Sequence, residues 1–237
     1  MTNPYAAPQF PGDGPSSVSG GFGDPTAWTP TGVLSQGFEI FKLNWVPLFF
    51  GPLIVALAGQ IPSQGLQMLV AASGMHPESP EALGLTVLGA VIGHAVGTYF
   101  QVGQIRMFLQ AARGNTPDFA VLFSGGDRFV PVLIASLIGG LGVALGLILL
   151  IVPGVILAIG WYFAPYLIVE RNCTPMEALK RSWALCDGQK GKLFTLALLS
   201  VPLVLVGYLA CCIGVFAAIS VISIAYSLVY LHLTGER

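Results

Sequence analysis

Between Arg128 and Glu170 this chain runs 41 residues without a charged side chain, and between Lys192 and Glu236 it runs 43, interrupted only by His232. A bilayer's hydrocarbon core is about 30 Å thick and a helix rises about 1.5 Å per residue, so about 20 apolar residues cross once and about 40 cross twice. Each run therefore reads as two membrane spans joined by a tight turn. Turn chemistry stands at each midpoint, Val152-Pro153-Gly154 in the first and Cys211-Cys212-Ile213-Gly214 in the second. A chain that is 54% hydrophobic and 9% charged, with a mean hydropathy of +0.78, has lipid rather than water as the solvent to satisfy.

The remainder divides around these hairpins. Residues 1–30 hold six prolines and five glycines with no Lys or Arg and no apolar run, which reads as a disordered cytoplasmic tail and not as a cleavable signal peptide. Residues 31–237 read as an all-α, six-helix transmembrane domain with spans near 46–72, 84–105, 129–150, 155–169, 193–210 and 214–233. Pro47, Pro52 and Pro62 interrupt the first span, so a re-entrant segment is the competing assignment there. It would place Arg106, Arg113 and Arg128 outside, and is set aside on that ground.

Lys and Arg near span ends are retained on the cytoplasmic side. With six spans, all ten basic residues fall on one face: Lys42, Arg106, Arg113, Arg128, Arg171, Lys180, Arg181, Lys190, Lys192 and Arg237. The loop at 73–83 carries Glu78, Glu81 and His76 and no Lys or Arg. Both termini are expected in the cytoplasm.

Thr29-Pro30, Thr116-Pro117 and Thr174-Pro175 each precede a span, and each offers a helix start because Thr caps orphan N–H groups and Pro fits the first turn. Thr174-Pro175-Met176-Glu177 has the form of a capping box, with Gly188 as the stop. At 100° per residue Met176, Leu179 and Trp183 lie opposite Lys180 and Arg181, which predicts an interfacial helix. Val33, Leu34, Phe38, Ile40 and Phe41 separate in the same way from Ser35, Gln36, Glu39 and Lys42, and Phe119–Ser124 is a shorter copy. The architecture becomes three hairpins, each preceded by a short amphipathic interfacial helix.

Val152-Pro153-Gly154, Trp161, Pro165, Glu170, Glu177-Ala178-Leu179, Ser182-Trp183 and Gly188, with Leu122-Phe123-Ser124-Gly125-Gly126-Asp127-Arg128-Phe129, form a pattern. It resembles the membrane domain of membrane-anchored glycerophosphodiester phosphodiesterases and of YciC-like bacterial inner-membrane proteins, over about Thr116 to Leu233. In those phosphodiesterases catalysis belongs to a separate soluble barrel. The resemblance implies a bacterial inner-membrane module with an envelope or lipid-related role and no catalytic residue to carry over.

Site chemistry agrees. The sequence holds no His-Glu-x-x-His, Gly-x-Ser-x-Gly, Cys-x-x-Cys or phosphate-cradling glycine loop, so no catalytic, cofactor-binding or metal-binding residues are assigned and no enzyme is expected. The four cysteines, Cys173, Cys186, Cys211 and Cys212, read as free thiols. Polar residues inside the spans form the one candidate surface: Gln60, Ser63, Gln64 and Gln67 on the first, and His94, Thr98 and Gln101 on the second, expected to face one another. They serve either as interhelical glue or as a polar pathway with His94 as its titratable member. Ser136, Gly139, Gly140, Gly142 and Gly146 offer a small-residue packing surface, for hairpin packing or for a homo-oligomer or membrane-protein partner.

The expected function is a noncatalytic membrane module that organises lipid, anionic at the cytoplasmic leaflet, through its basic interfacial helices, with no nucleic-acid partner. The alternative is a small transporter or channel with a path lined by Gln60, Gln64, His94 and Gln101, although the membrane zone lacks the paired acidic residues of coupled transport.

Overall fold

The computed structural model describes residues 28–76, 78–209 and 213–235; most of the Pro/Gly-rich tail and the Cys211-Cys212 turn lie outside the described residues. Among the described residues the chain is all-helical, with no strand. Its helices are α1 (Pro30–Leu43), α2 (Trp45–Ala72), α3 (Pro80–Ala112), α4 (Phe129–Leu149), α5 (Ile151–Trp161), α6 (Ala164–Arg171), α7 (Pro175–Leu185), α8 (Lys190–Leu209) and α9 (Ile213–Thr234), with two short 3₁₀ turns at Phe119–Phe123 and Gly125–Asp127. Six stretches are long and apolar enough to cross a bilayer: α2, α3, α4, α5 with α6, α8, and α9 from Gly214. This is a multi-pass membrane protein.

The first span is one continuous helix of 28 residues that runs through Pro52 and Pro62, so the re-entrant assignment does not describe it. It packs against α3 through glycine. Gly89, Gly93 and Gly97 repeat every fourth residue on one face of α3, and a Cβ on Gly93 would stand 2.6 Å from the Gly59 carbonyl oxygen. Small residues at such spacing let two backbones approach within van der Waals contact, the main source of helix association in lipid. The repeat Gly89-x-x-x-Gly93-x-x-x-Gly97 is a sequence signal of the same kind as Gly142-x-x-x-Gly146, and one glycine longer.

The turn between the third and fourth spans departs from expectation. It is the single extended residue Leu150 (φ −161°, ψ 137°), and Pro153-Gly154 lies inside the first turn of α5. A first-turn N–H has no intrahelical acceptor, so proline loses nothing there. Gly146 and Gly154 are the contact across this hairpin, where a Cβ on Gly146 would stand 2.9 Å from the Gly154 Cα. Gly139 and Gly142 face Trp161, and Gly140 faces open space. Most of the predicted small-residue surface is therefore used within the chain.

The fourth span is broken between α5 and α6. Pro165 has no N–H for the Trp161 carbonyl and its ring crowds it, and here, unlike at Pro52 and Pro62 of α2, the helix breaks. Side chains from α7 and its C-terminal cap take up the groups set free. Ser182 Oγ accepts the Phe163 N–H at 3.2 Å and donates to the Gly160 carbonyl at 2.7 Å, and Cys186 Sγ donates to the Ile159 carbonyl at 3.4 Å. Burial pushes the Cys186 thiol up to about 12, so it stays the neutral S–H donor this contact needs.

This arrangement changes the expected role of α7. Leu179 is buried, Met176 stays exposed, and Trp183 sits between Gly160 and the Lys190 ammonium, whose Nζ lies 3.8 Å from the ring centroid. The apolar face of α7 is thus directed largely at protein. The Thr174 side chain makes no capping bond, and Glu177 pairs with Arg181 at 2.6 Å, while Gly188 (φ +75°) does supply the stop. In the second Thr-Pro segment the cap is Asp118, which accepts the Ala120 N–H at 3.0 Å, and 3₁₀ turns replace the helix.

Part of the apolar side of α1 also packs on protein: Val33, Gly37 and Ile40 are buried, Leu34 and Phe41 are half-buried and Phe38 is exposed, and a Cβ on Gly37 would stand 2.8 Å from the Val221 carbonyl of α9. Thr29 caps it as expected, at 3.2 Å from the Gly32 nitrogen. Trp28 precedes the domain start expected at residue 31, yet it is buried and its carbonyl accepts the Lys192 ammonium at 3.3 Å. Tyr166, Tyr226 and Tyr230 are buried packing residues, with Tyr162 and Tyr226 ring centroids 4.2 Å apart.

Ser182→Ala leaves the Phe163 N–H and Gly160 carbonyl without their partner in a buried site, and is expected to cost about 1–3 kcal/mol. Reversible unfolding of the detergent-solubilised protein checks this; a variant as stable as wild type would show that the helix break needs no repair.

Candidate functional site

On α3, Arg106, Gln110 and Arg113 recur at four- and three-residue steps, which places them on one face of the helix's last two turns. The 3₁₀ turns and the end of α6 close over that face. A Cβ on Gly103 or Gly125 would collide with the backbone of Leu122 or Tyr99, so glycine at both positions lets the turns lie directly on α3. Tyr99 Oη fastens the contact with a 2.6 Å bond to the Phe123 carbonyl.

The result is a polar-apolar groove of about 470 Å³ lined by Arg106, Leu109, Gln110, Arg113, Val121, Ser124, Val169 and Glu170. Arg106 Nη1 donates to the Ser124 carbonyl at 2.6 Å and to Ser124 Oγ at 3.0 Å, and Nη2 donates to Asp127 at 2.7 Å. Arg113 pairs with Glu170 Oε1. Two acceptors in the lining, Glu170 Oε2 and Gln110 Oε1, are buried without a hydrogen-bond partner. A buried acceptor without a donor costs free energy, so these two atoms mark where a ligand's N–H or O–H would be stabilised. Leu109, Val121 and Val169 supply the groove's apolar lining.

The intramembrane polar residues do not form a second site of this kind. Gly59, Ser63 and Leu66 meet α3, so Gln60, Gln64 and Gln67 are turned away from that seam and are exposed. Ser63 Oγ donates to the Gln60 carbonyl at 2.9 Å. On α3, His94 Nε2 lies 3.2 Å from Ser136 Oγ on α4. Ser136 Oγ gives its proton to the Leu133 carbonyl at 2.9 Å, which leaves His94 Nε2 as the donor. Thr98 is buried with its hydroxyl on the His94 carbonyl at 2.8 Å, and Gln101 is half-buried. The two stripes flank the α2–α3 seam and point past one another, because each lies about 100° around its helix from the contact glycines. Ser220 donates to the Leu48 carbonyl and Ser227 to the Ser223 carbonyl, as packing contacts. A larger groove of about 520 Å³ between α1 and α8 has mostly apolar walls, and neither groove is lined by the Gln and His residues of the stripes.

Among the described residues no cluster of His, Cys, Asp and Glu has the form of a metal site. The i, i+4, i+7 spacing of Arg106, Gln110 and Arg113 is the sequence signal for the groove. Its partners Ser124, Asp127 and Glu170 lie 18 to 57 residues from the arginines they bond and cannot be paired with them by spacing. No family model, curated protein or solved structure matches this chain.

The Arg106 guanidinium bonded to Asp127 holds its carboxyl below the usual carboxylate range. A depressed carboxyl stabilises the fold above the unfolded pKa, and that contribution is lost as pH falls through the folded one. Arg106→Ala should therefore lower the stability at pH 7 slightly, by less than about 1 kcal/mol because the pair is partly exposed, with a correspondingly lower melting temperature, and the difference from wild type should shrink below about pH 4. Melting curves at pH 7 and pH 3 test this; a difference that grows on acidification contradicts it.

Proposed function

We propose that this protein is a noncatalytic module of a bacterial cytoplasmic membrane, with both termini in the cytoplasm, that holds phospholipid headgroups at its basic face and so organises lipid in the envelope. The groove at the end of α3 carries this reading. Its lining sums to one net positive charge, two arginines against Glu170, so a phosphate is the complementary anion. Arg106 uses three of its five N–H donors on Ser124 and Asp127, which leaves donors for a phosphate oxygen. Glu170 Oε2 and Gln110 Oε1 call for a donor on the same ligand. A glycerophospholipid headgroup with an ammonium or hydroxyl beside its phosphate supplies both.

The orientation follows the charges. The connections at 73–79 and at Leu150 carry no Lys or Arg, whereas those between α3 and α4 and between α6 and α8, counted with the helix turns that flank them, carry eight. A cysteine probe at residue 78 should react with an impermeant reagent applied outside, and one at residue 115 only after permeabilisation; outside labelling at 115 would reverse the orientation.

The headgroup reading is tested with short-chain phospholipids and the full chain in detergent by native mass spectrometry. Phosphatidylethanolamine and phosphatidylglycerol should bind about tenfold more tightly than phosphatidylcholine, whose headgroup has no N–H or O–H to donate. Gln110→Leu should narrow that gap and Arg106→Ala should weaken all three lipids. Equal binding of the three, unchanged in both variants, would remove the groove from the function.

A further inference from the structure

The exposed glutamines of α2 are the least satisfied feature of the membrane zone. At a rise of about 1.5 Å per residue, Gln60, Gln64 and Gln67 lie about 18, 12 and 8 Å from the Ala72 end of a helix long and apolar enough to span. All three side chains are exposed; Gln60 Oε1 has only a long 3.5 Å contact from Ser63, and no partner is described for the other two carboxamides. A carboxamide directed at hydrocarbon gives up its hydrogen bonds to water and gains none, so the isolated chain carries this cost three times on one helix.

The neighbours on that face define the geometry. Leu57, Ile61 and Met68 are also exposed, and positions 57, 60–61, 64, 67–68 and 71 follow a seven-residue repeat of the kind that forms the seam between two helices packed side by side. Gly65 lies at the edge of this face, and a Cβ added there would have nothing within 4 Å, so no described element of this chain covers it. The small-residue surface of α4 is not free for such a contact, because Gly139, Gly142 and Gly146 are already covered by Trp161, Leu179 and Gly154.

We infer that this face of α2 is the seam of a parallel homodimer, in which Gln60, Gln64 and Gln67 bond to the same residues of a second copy. A carboxamide has two donors and an acceptor oxygen, so it is its own complement. Two copies inserted with the same topology and related by a twofold axis along the membrane normal bring each residue of α2 opposite itself. A second copy thus satisfies all three glutamines at once, whereas a different partner would have to present matching donors and acceptors at the same three heights. Apolar residues alone would not drive this association, since lipid tails solvate them as well as another helix does.

Full-length protein labelled separately with donor and acceptor fluorophores and mixed in liposomes tests the seam by energy transfer as the lipid-to-protein ratio is raised. Wild type should self-associate, and the combined Gln60→Leu, Gln64→Leu, Gln67→Leu variant should need at least about tenfold more protein per lipid for the same transfer. Leucine is cheaper than glutamine in hydrocarbon, so this variant should insert at least as well as wild type, which a melting curve confirms. In a background lacking the native cysteines, Gln64→Cys should form an intermolecular disulfide on oxidation and Leu85→Cys, on α3, should not. Monomeric wild type at every dilution overturns the proposal, as does transfer that the triple leucine variant leaves unchanged. Labelling of the Gln64→Cys protein by a water-soluble thiol reagent, without any disulfide, would mean a wet path in place of a dimer and overturns it as well.

Discussion

A proline in the fourth span sets the terms for much of this fold. In hydrocarbon every backbone N–H and C=O must find a partner inside the protein, and Pro165 removes one donor and ends the helix two residues before it begins again as α6. Ser182 then satisfies the Gly160 carbonyl and the Phe163 N–H, and the Ile159 carbonyl, which accepts the Tyr162 N–H at 3.4 Å, also takes the Cys186 thiol. Both side chains come from α7 and its C-terminal cap, which explains why a helix of such amphipathic sequence turns its apolar side to the bundle. The aromatic stack of Tyr162, Phe163 and Tyr166 against Tyr226 and Tyr230 forms on the other side of the break and ties it to α9.

Glycine has the complementary role where helices stay whole. Gly59 against Gly93 and Gly146 against Gly154 bring the backbones of two hairpins into contact, and Gly37 sets α1 on the backbone of α9. Away from these contacts the spans present apolar, exposed side chains such as Leu57, Leu141 and Leu205, and lipid is their solvent. The buried core lies elsewhere, where α3, α6, α7 and the later part of α9 meet, and Phe163, Ile168, Leu196 and Tyr230 are fully enclosed there. The polar groove forms at the margin of that core, so Arg106 and Arg113 stand on a packed helix and not on a free loop.

What can be read from the sequence follows from which interactions are local. Six spans are legible because uncharged length is a property of a continuous segment, and the Thr29 cap is legible because its partner lies three residues on. The capping box read at Thr174 does not form: the Thr174 side chain makes no cap bond and the Glu177 carboxylate pairs with Arg181 one turn on. On the apolar faces read for α1 and α7, Val33, Ile40 and Leu179 are buried while Phe38 and Met176 are exposed, and amphipathicity cannot say whether an apolar side meets lipid or another helix. Likewise the polar stripes can be identified residue by residue, but their expected meeting depends on a helix rotation that the glycines of α3 decide. The groove is hidden further still, since Arg113 and Glu170 are joined only by the fold.

The same accounting of polar groups that explains the interior also singles out its exceptions. Where the chain has a long-range partner to offer, as with Ser182, Ser220 and Ser136, the partner is in place. Trp28 Nε1 and Gln189 Oε1 are buried without a hydrogen-bond partner, and two further sets break that pattern: the buried acceptors Glu170 Oε2 and Gln110 Oε1 at the basic face, and the carboxamides on the outer face of α2. They differ in a way that bears on what completes them. The first pair is buried in the wall of a groove whose lining also holds two guanidinium groups, a setting of the size of a small ligand with both charge and donors. The second set is spread along nearly two turns of a convex helix surface with no charge near it, a shape that a small molecule cannot cover and a second helix can.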